Sequence, residues 1–271
     1  MAFRNSAPIS AVRLPWAMEL DVDPDDTITN ALVGQGIYDI VTTEVLWRLT
    51  MPGDRTIDVG ANVGYMTSIL TLRAGPDGDV TAIEPHPKTL LTLRRNVERW
   101  NLDQRCAPIS LCEGVLSDHD GTVMFLPYTA GDRNASHGYV SEDPGKGVET
   151  RSWTLDTFLD GGQTVGVAKV DTEWHEARIF SAARKTLASG SIRDIVYEEV
   201  TGYPAASHAY LEAAGYVVFA FEERLSGPKL LAPGAARKLR ADEIPPSYLA
   251  TREPERARTI FERKGWACLS W

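Results

Sequence analysis

Arg55-Thr-Ile-Asp-Val-Gly-Ala-Asn-Val-Gly-Tyr65 is the stretch that decides the fold. Thr56, Ile57 and Val59 are β-formers. Gly60 and Gly64 bracket a tight turn, and residues 63–72 read as a helix. A strand that runs through a glycine turn into a helix N-terminus is a place for a nucleotide-like ligand. The missing Cβ lets the ligand approach the backbone, and the open end of a parallel sheet supplies the crevice. The spacing is G-x-N-x-G, not the G-x-G-x-x-G of dinucleotide binders. Glycines also close turns with no ligand nearby, so the rest of the chain has to decide.

Outward from that turn, the pattern is strand and helix in alternation. Residues 80–84 form a short strand that ends on the carboxylate of Glu84. A helix over 88–100 carries Leu90, Leu93, Val97 and Trp100 on one face. Residues 107–115 and 122–126 read as strands, and 128–147 as a long polar loop holding Asn134, Ser136 and His137. Strands follow at 148–153, 165–170, 192–197 and 216–221, the last expected to be the final core strand. Helices are expected at 154–159, 176–187 and 207–214. This is the signature of a parallel sheet covered by helices on both faces. Ahead of the turn, 9–22 suggests a hairpin and 38–49 a helix. Beyond 221, a hairpin around Ser226-Gly-Pro, a Pro245-Pro246 break and a helix over 254–264 are expected, with Trp266 and Trp271 sealing a surface. The whole chain is read as one domain: a cap segment (1–54), a core (55–221) and a C-terminal extension (222–271).

Composition narrows the partners. The chain has 271 residues, is 43% hydrophobic and 24% charged, and carries a net charge of −9 with a pI of about 5.1. Those values suit a soluble globular core and argue against a broad nucleic-acid surface, which needs a basic face. No apolar run has signal-peptide or membrane-spanning length, so no membrane association is expected. Cys106, Cys112 and Cys268 make no C-x-x-C pair and read as small buried hydrophobes in a reduced, cytoplasmic setting. Oligomeric state is not legible.

Four strands end in acids: Asp58 with Gly60, Glu84, Asp171 and Glu198. In a doubly wound sheet these ends share one edge, so residues distant in sequence converge. Glu84, with Pro85 after it, lies about two dozen residues past Gly60, close to the ~20 at which an acid reaches ribose hydroxyls. A carboxylate accepts two hydrogen bonds from a vicinal diol. Asp58 reads as orienting the turn or meeting a cationic part of the ligand.

Five motifs in order carry a resemblance: Ile57-Asp-Val-Gly-Ala-Asn-Val-Gly-Tyr65, Ala82-Ile-Glu-Pro-His-Pro87, Leu116-Ser-Asp118, Thr154-Leu-Asp-Thr-Phe158 and Lys169-Val-Asp-Thr-Glu173. Together they resemble the FkbM family of S-adenosylmethionine (SAM)-dependent O-methyltransferases, over residues 38–221. The resemblance implies the Rossmann-like class I methyltransferase fold, α/β with a mostly parallel seven-stranded sheet. It implies that SAM lies across the ends of the first two core strands. Asp58, Gly60, Asn62 and Gly64 would surround the methionine moiety and Glu84 would hold the ribose. Val115, Ser117 and Asp118 would lie near the adenine. One departure stands out. Where the family usually reads Lys-Ile-Asp-Val-Glu-Gly-Ala-Glu, this chain reads Lys169-Val-Asp-Thr-Glu-Trp-His-Glu176. The indole of Trp174 in place of glycine is expected to stack on an acceptor or to pack under the next helix.

A methyl transfer to an alcohol needs the acceptor hydroxyl aligned and its proton removed. The candidate groups are His175, His137, Asp171, Glu173 and Glu198. His175 leads because it follows the motif at the active edge. His86 is read as a helix cap, His119 and His208 as surface residues. Asp171, Glu173 and Glu198 would form an oxygen-rich set for a divalent ion, but no metal is assigned. The same acids, Asp171 among them, would otherwise face the sulfonium of SAM. The expected function is O-methylation of a hydroxyl on a small molecule, in natural-product or sugar tailoring. A SAM-binding protein of the same fold that transfers no methyl is the alternative.

Overall fold

The structure, a computed structural model, describes residues 11–23, 27–128, 137–143, 145–160, 162–235 and 247–270. Asn134, Ser136, Pro245, Pro246 and Trp271 lie outside them.

The elements follow in order. A hairpin of β1 (Ala11–Arg13) and β2 (Glu19–Asp21) precedes α1 (Thr27–Gln35) and α2 (Ile40–Leu49). Next come β3 (Arg55–Val59), α3 (Tyr65–Ala74), β4 (Asp79–Glu84), α4 (Pro87–Trp100) and β5 (Ile109–Glu113). Then β6 (Val115–Leu116), β7 (Gly121–Pro127), β8 (Gly138–Ser141) and β9 (Val148–Trp153) form a small sheet of their own, in the order β6-β9-β7-β8. The chain continues through α5 (Leu155–Phe158), β10 (Val165–Val170), α6 (Glu176–Ala182), α7 (Arg184–Ser189), β11 (Ile192–Glu198), α8 (Ala206–Ala213), β12 (Val217–Glu222), β13 (Lys229–Leu230), β14 (Ser247–Thr251) and α9 (Pro254–Phe261).

The main sheet has the order β13-β12-β14-β11-β10-β3-β4-β5. β5, β4, β3, β10 and β11 are mutually parallel. From β3 the chain builds outward through β4 and β5. It then returns to the other side of β3 with β10 and β11. This reversal puts a crevice at the carboxyl ends of β3 and β10, where doubly wound sheets take ligands.

The sheet has eight strands among the described residues, not the expected seven. The strand 216–221 is not the last one either. β14, from beyond residue 222, slots antiparallel between β11 and β12, with Tyr197 opposite Tyr248 and Phe219 opposite Leu249. β13 pairs with β12 across the expected hairpin and adds the eighth strand. The segment 107–115 also divides: β5 stays in the main sheet while β6 pairs with β9. Gly114 sits at the divide with φ +151°, where a Cβ would lie 2.5 Å from the Trp153 ring. The helix expected over 176–187 is two short helices joined at Ala183.

Apolar side chains fill both faces of the sheet. On one face Leu46, Leu49, Ile69, Leu70, Leu93, Trp100 and Phe219 share a cluster with Trp16. On the other, Ile57, Ile83, Ile179, Phe180, Ile195, Tyr197 and Leu211 pack together. The segment ahead of the central turn is part of this core. Trp16 is fully buried, meets Tyr65 edge-on at 5.5 Å between ring centroids, and its indole N–H donates to Ser68 Oγ (3.1 Å). Asn96 of α4 ties the pieces together. Its amide donates to the Asp21 carbonyl (3.0 Å) and the Val63 carbonyl (2.8 Å), and its oxygen accepts from Asp21 N–H (2.8 Å). Arg95 and Arg99, on the outer side of α4, pair with Asp21. His208, expected on the surface, is buried against Tyr197, Tyr203 and Tyr248.

Candidate active site

The turn after β3 is left-handed at three positions: Gly60 (φ +75°), Asn62 (+52°) and Gly64 (+97°). L-residues with a Cβ avoid this region; asparagine tolerates it best because its side chain bonds locally. Asn62 does so, its Oδ1 accepting from Val63 N–H (2.6 Å). The glycines have a packing reason that spacing alone could not show. A Cβ on Gly60 would sit 1.9 Å from the Asp171 carbonyl oxygen at the end of β10, and one on Gly64 would sit 2.8 Å from Leu93 Cδ1. Gly60 therefore permits the close approach of a neighbouring strand as well as lining the cleft, whereas Gly64 does not line it.

Beneath this turn lies an ion cluster. Asp58 is fully buried; its Oδ2 accepts from the Thr67 hydroxyl (2.6 Å) and its Oδ1 lies 3.3 Å from Lys169 Nζ. That Oδ1 makes no hydrogen bond of good geometry, so the lysine acts on it as a counter-ion. Lys169 also donates to the Gly60 carbonyl (2.8 Å) and approaches Asp171 Oδ2 (3.5 Å). Burial alone would lower the lysine pKa; the charges of Asp58 and Asp171 outweigh it, and the net shift is upward. Lys169 therefore staples the turn to β10. It stands in the Lys169-Val-Asp motif, but only the sheet order reveals its partner. Asp58 sits behind the cleft wall and does not line it.

Glu84 ends β4 on the rim of the crevice. Its carboxylate oxygens accept from the backbone N–H of Asn62 (2.7 Å) and His86 (2.8 Å). Burial pushes its pKa up to about 7 against the pull of those bonds. Each oxygen has a second lone pair to offer. Beside it Pro85, Ile83, Val115, Leu116 and Phe125 form an apolar slot. Ser117 and Asp118 are not in this cleft. They line an adjoining groove, where Ser117 Oγ lies 3.0 Å from His175 Nε2 and Asp118 pairs with His119 (2.7 Å). His86 caps α4 through Nδ1.

The other end of the cleft is acidic. Asp39, Asp171, Glu173 and Glu198 line it, with Lys169 among them. Burial, then the charges of Asp171 and Glu173, raise the Glu198 pKa well above the carboxylate range. Burial likewise raises that of Glu173. His137, at the start of β8, brings Nδ1 to 3.3 Å from Glu173 Oε1. His175 is buried at the start of α6, and burial followed by the Arg178 charge drives its pKa down to about 4. Thus Gly60, Asn62, Glu84, Pro85, Val115, His137, Asp171, His175 and Glu198 come together around one cleft. Among the described residues, no three His, Cys, Asp or Glu groups converge as a metal-holding set.

Further wall residues come from the segment ahead of the turn, where the sequence left Tyr38 open between lining a site and core packing, and from elements it did not connect with the site. Tyr38 and Asp39 come from the turn before α2, Tyr65 from α3 and Ser247 from β14. Tyr38 stacks edge-on against Tyr65 (5.8 Å), whose hydroxyl lies 3.1 Å from Thr43 Oγ1. Trp174 neither packs under α6 nor lines the cleft. It is 65% exposed over the adjoining groove, at φ +73°.

This lining fits SAM by its chemistry. A carboxylate for a ribose diol, an apolar slot for a base, and carboxylates for a cationic sulfonium and ammonium stand in sequence along the cleft. Known proteins resemble parts of this chain. A protein-L-isoaspartate O-methyltransferase of Triticum aestivum is 30% identical over 106 residues, 37% of this chain and 44% of that protein. A protein-L-isoaspartate O-methyltransferase 1 of Arabidopsis thaliana is 28% identical over 87 residues, 32% of this chain and 38% of that one. The match therefore spans less than half the length of these curated relatives. Among solved structures, a methyltransferase FkbM from Methylobacillus flagellatus KT superposes with a TM-score of 0.48 at 13% identity, over 85% of this chain and 62% of that one. The family model of the methyltransferase FkbM domain matches residues 58–218, more than half of the chain, and the protein belongs to that family of SAM-dependent methyltransferases.

Proposed function

We propose that this methyltransferase acts on a hydroxyl of a small-molecule acceptor, with His137 taking the proton. The observation that carries the reading is the His137–Glu173 pair, 3.3 Å apart on the cleft wall. When bound, SAM supplies a methyl group on a sulfonium, the electrophile for an in-line displacement. Glu84 holds the ribose, and Asp171 and Asp39 face the cationic end. Glu173 stands beside the His137 ring as a counter-ion, without a hydrogen bond of good geometry, and stabilises the ring once it has taken the proton of the acceptor hydroxyl. His175 suits this role less well. A ring with a pKa near 4 is a weak base at neutral pH, and its Nε2 is engaged by Ser117.

The relatives named for isoaspartate would suggest a carboxylate acceptor. Such an acceptor needs no base, and burial together with the charges of Asp171 and Glu173 already raises the Glu198 pKa well above the carboxylate range, so a further buried carboxylate is disfavoured in this cleft. A neutral hydroxyl meets neither objection. The net charge of −9 supports a small molecule over nucleic acid. The unpaired cysteines fit a cytoplasmic setting. No helix among the described residues is long and apolar enough to cross a membrane.

The test uses methyl-labelled SAM with a panel of hydroxylated metabolites, followed by His137→Ala and Glu173→Gln. Both variants should keep SAM affinity within about twofold. His137→Ala should lower kcat by about 10²–10⁴, the usual contribution of a general base. Full turnover in His137→Ala would remove the assignment.

A further inference from the structure

Glu173 (φ +53°) and Trp174 (φ +73°) are consecutive left-handed residues with side chains. Such strain persists where the surrounding structure imposes it, and it collects at functional sites. Trp174 offers the fold little in return: two thirds of it faces solvent, and the resemblance expects glycine here, the residue this backbone favours. An exposed indole on strained backbone is placed for something outside the chain.

Its surroundings indicate what. Trp174 forms part of a groove that shares Glu173, His175 and Val140 with the cofactor cleft, so a molecule lying on the indole can reach the His137–Glu173 pair. The groove's rim is polar and charged. Arg178 pairs with Glu142 of the segment after β8 and approaches Asp118 Oδ2 (3.5 Å), and Asp118 holds His119 (2.7 Å). An aromatic face bordered by carboxylates and a guanidinium matches one chemistry well. A saturated ring with an apolar C–H face and hydroxyls around its edge stacks on the indole, and its hydroxyls bond to the rim. A flat apolar acceptor would make no use of the polar rim, and a small aliphatic alcohol would leave the indole uncovered.

We propose that Trp174 is the stacking platform of an acceptor subsite for a glycosyl ring, with Asp118, Glu142 and Arg178 as its hydroxyl-binding rim. This rests on the hydroxyl-acceptor reading above and names the acceptor class.

The experiment titrates protein loaded with S-adenosylhomocysteine with methyl glycosides of glucose, galactose and rhamnose, and with cyclohexanol, a saturated ring with a single hydroxyl, as the control. At least one glycoside should bind saturably and cyclohexanol should not. Trp174→Ala should weaken that binding tenfold or more and Trp174→Phe no more than about threefold, both with unchanged S-adenosylhomocysteine affinity. Trp174→Gly should weaken it as alanine does while raising the melting temperature, because it relieves the left-handed strain. The proposal is overturned if no glycoside binds, if Trp174→Ala binds as wild type does, or if Trp174→Gly melts lower. Methyl-labelled SAM separates the two readings. Glycoside binding without transfer to any hydroxyl refutes the methyl-acceptor function and leaves the subsite standing. Transfer only to acceptors that are not sugars does the reverse.

Discussion

Lys169→Met isolates the staple under the central turn. The ammonium lies 3.3 Å from Asp58 Oδ1 and 3.5 Å from Asp171 Oδ2, and donates to the Gly60 carbonyl at 2.8 Å. At an effective dielectric of about 20, each ion pair is worth roughly 5 kcal/mol before desolvation. Desolvation of the lysine offsets much of that sum. The loss on substitution is governed by what stays behind. Asp58, fully buried, would keep only the Thr67 hydroxyl, and stranding one partner of a buried pair costs about 3–5 kcal/mol. The expected loss is therefore about 3–5 kcal/mol, or on the order of 10 °C in melting temperature for a chain of this size. Urea unfolding at pH 7.5 without cofactor measures it. Adding Asp58→Asn should recover about 2 kcal/mol or more, because the stranded charge is then gone. The sign of the pH dependence follows from the upward shift of the lysine pKa. Its stabilisation is fully present below the unfolded value near 10.4 and is lost only as pH rises through the folded one. Titration of the lysine itself should thus add no slope to the difference between wild type and variant from pH 6 to 9. A loss under about 1 kcal/mol, or a double variant no more stable than the single, would refute the staple.

Three further outcomes are expected. Gly60→Ala should lose more than about 2 kcal/mol, since a Cβ at φ +75° meets the Asp171 carbonyl at 1.9 Å; an unchanged melting temperature would contradict the strand-approach argument. Glu84→Gln should weaken SAM binding by about 1.5–3 kcal/mol in calorimetry, the scale of a hydrogen bond to a charged group, and equal affinity would remove Glu84 from the ribose. Glu176 is buried, its Oε1 accepts from Thr172 N–H (2.7 Å), and burial lifts its pKa to about 7. The native state thus holds a proton that the unfolded chain releases near 4.5, so this group's contribution to stability falls as pH rises from about 4.5 to 7. Glu176→Gln should be about 1–3 kcal/mol more stable relative to wild type at pH 8 than at pH 5, and an equal difference at both would show that the carboxyl is ionised throughout.

The alternation of strands and helices was legible because each element announces itself locally. The α4 stripe of Leu90, Leu93, Val97 and Trp100 is buried as its spacing requires, and β10 begins and ends at the expected residues. Glu84 was legible because an acid at a strand end needs only one strand to place it. The base was not. His175 follows the motif in sequence, but burial among apolar neighbours, which no local pattern reports, makes it a weak one. His137 belonged to a segment read as loop, and β8 is recognisable only by its pairing with β7.

What the chain determined by itself is the βαβ order, the glycine turn, the carboxylate edge and, with the five motifs together, the family. These are short-range properties: periodicity, turn chemistry and spacing along the backbone. The tertiary structure decided what pairs across the molecule. It put β14 between β11 and β12 and set Lys169 beneath Gly60. It placed His137 against Glu173, moved Ser117 and Asp118 out of the cofactor cleft into a groove beside it, and set Trp174 over that groove. The physical reason is that contacts between strands depend on sheet order and register. Those are settled by the burial of the whole apolar surface at once, not by any one segment. The opening turn carries both kinds of information: its glycines can be read directly, but what their missing Cβ atoms make room for is visible only once β10 lies alongside.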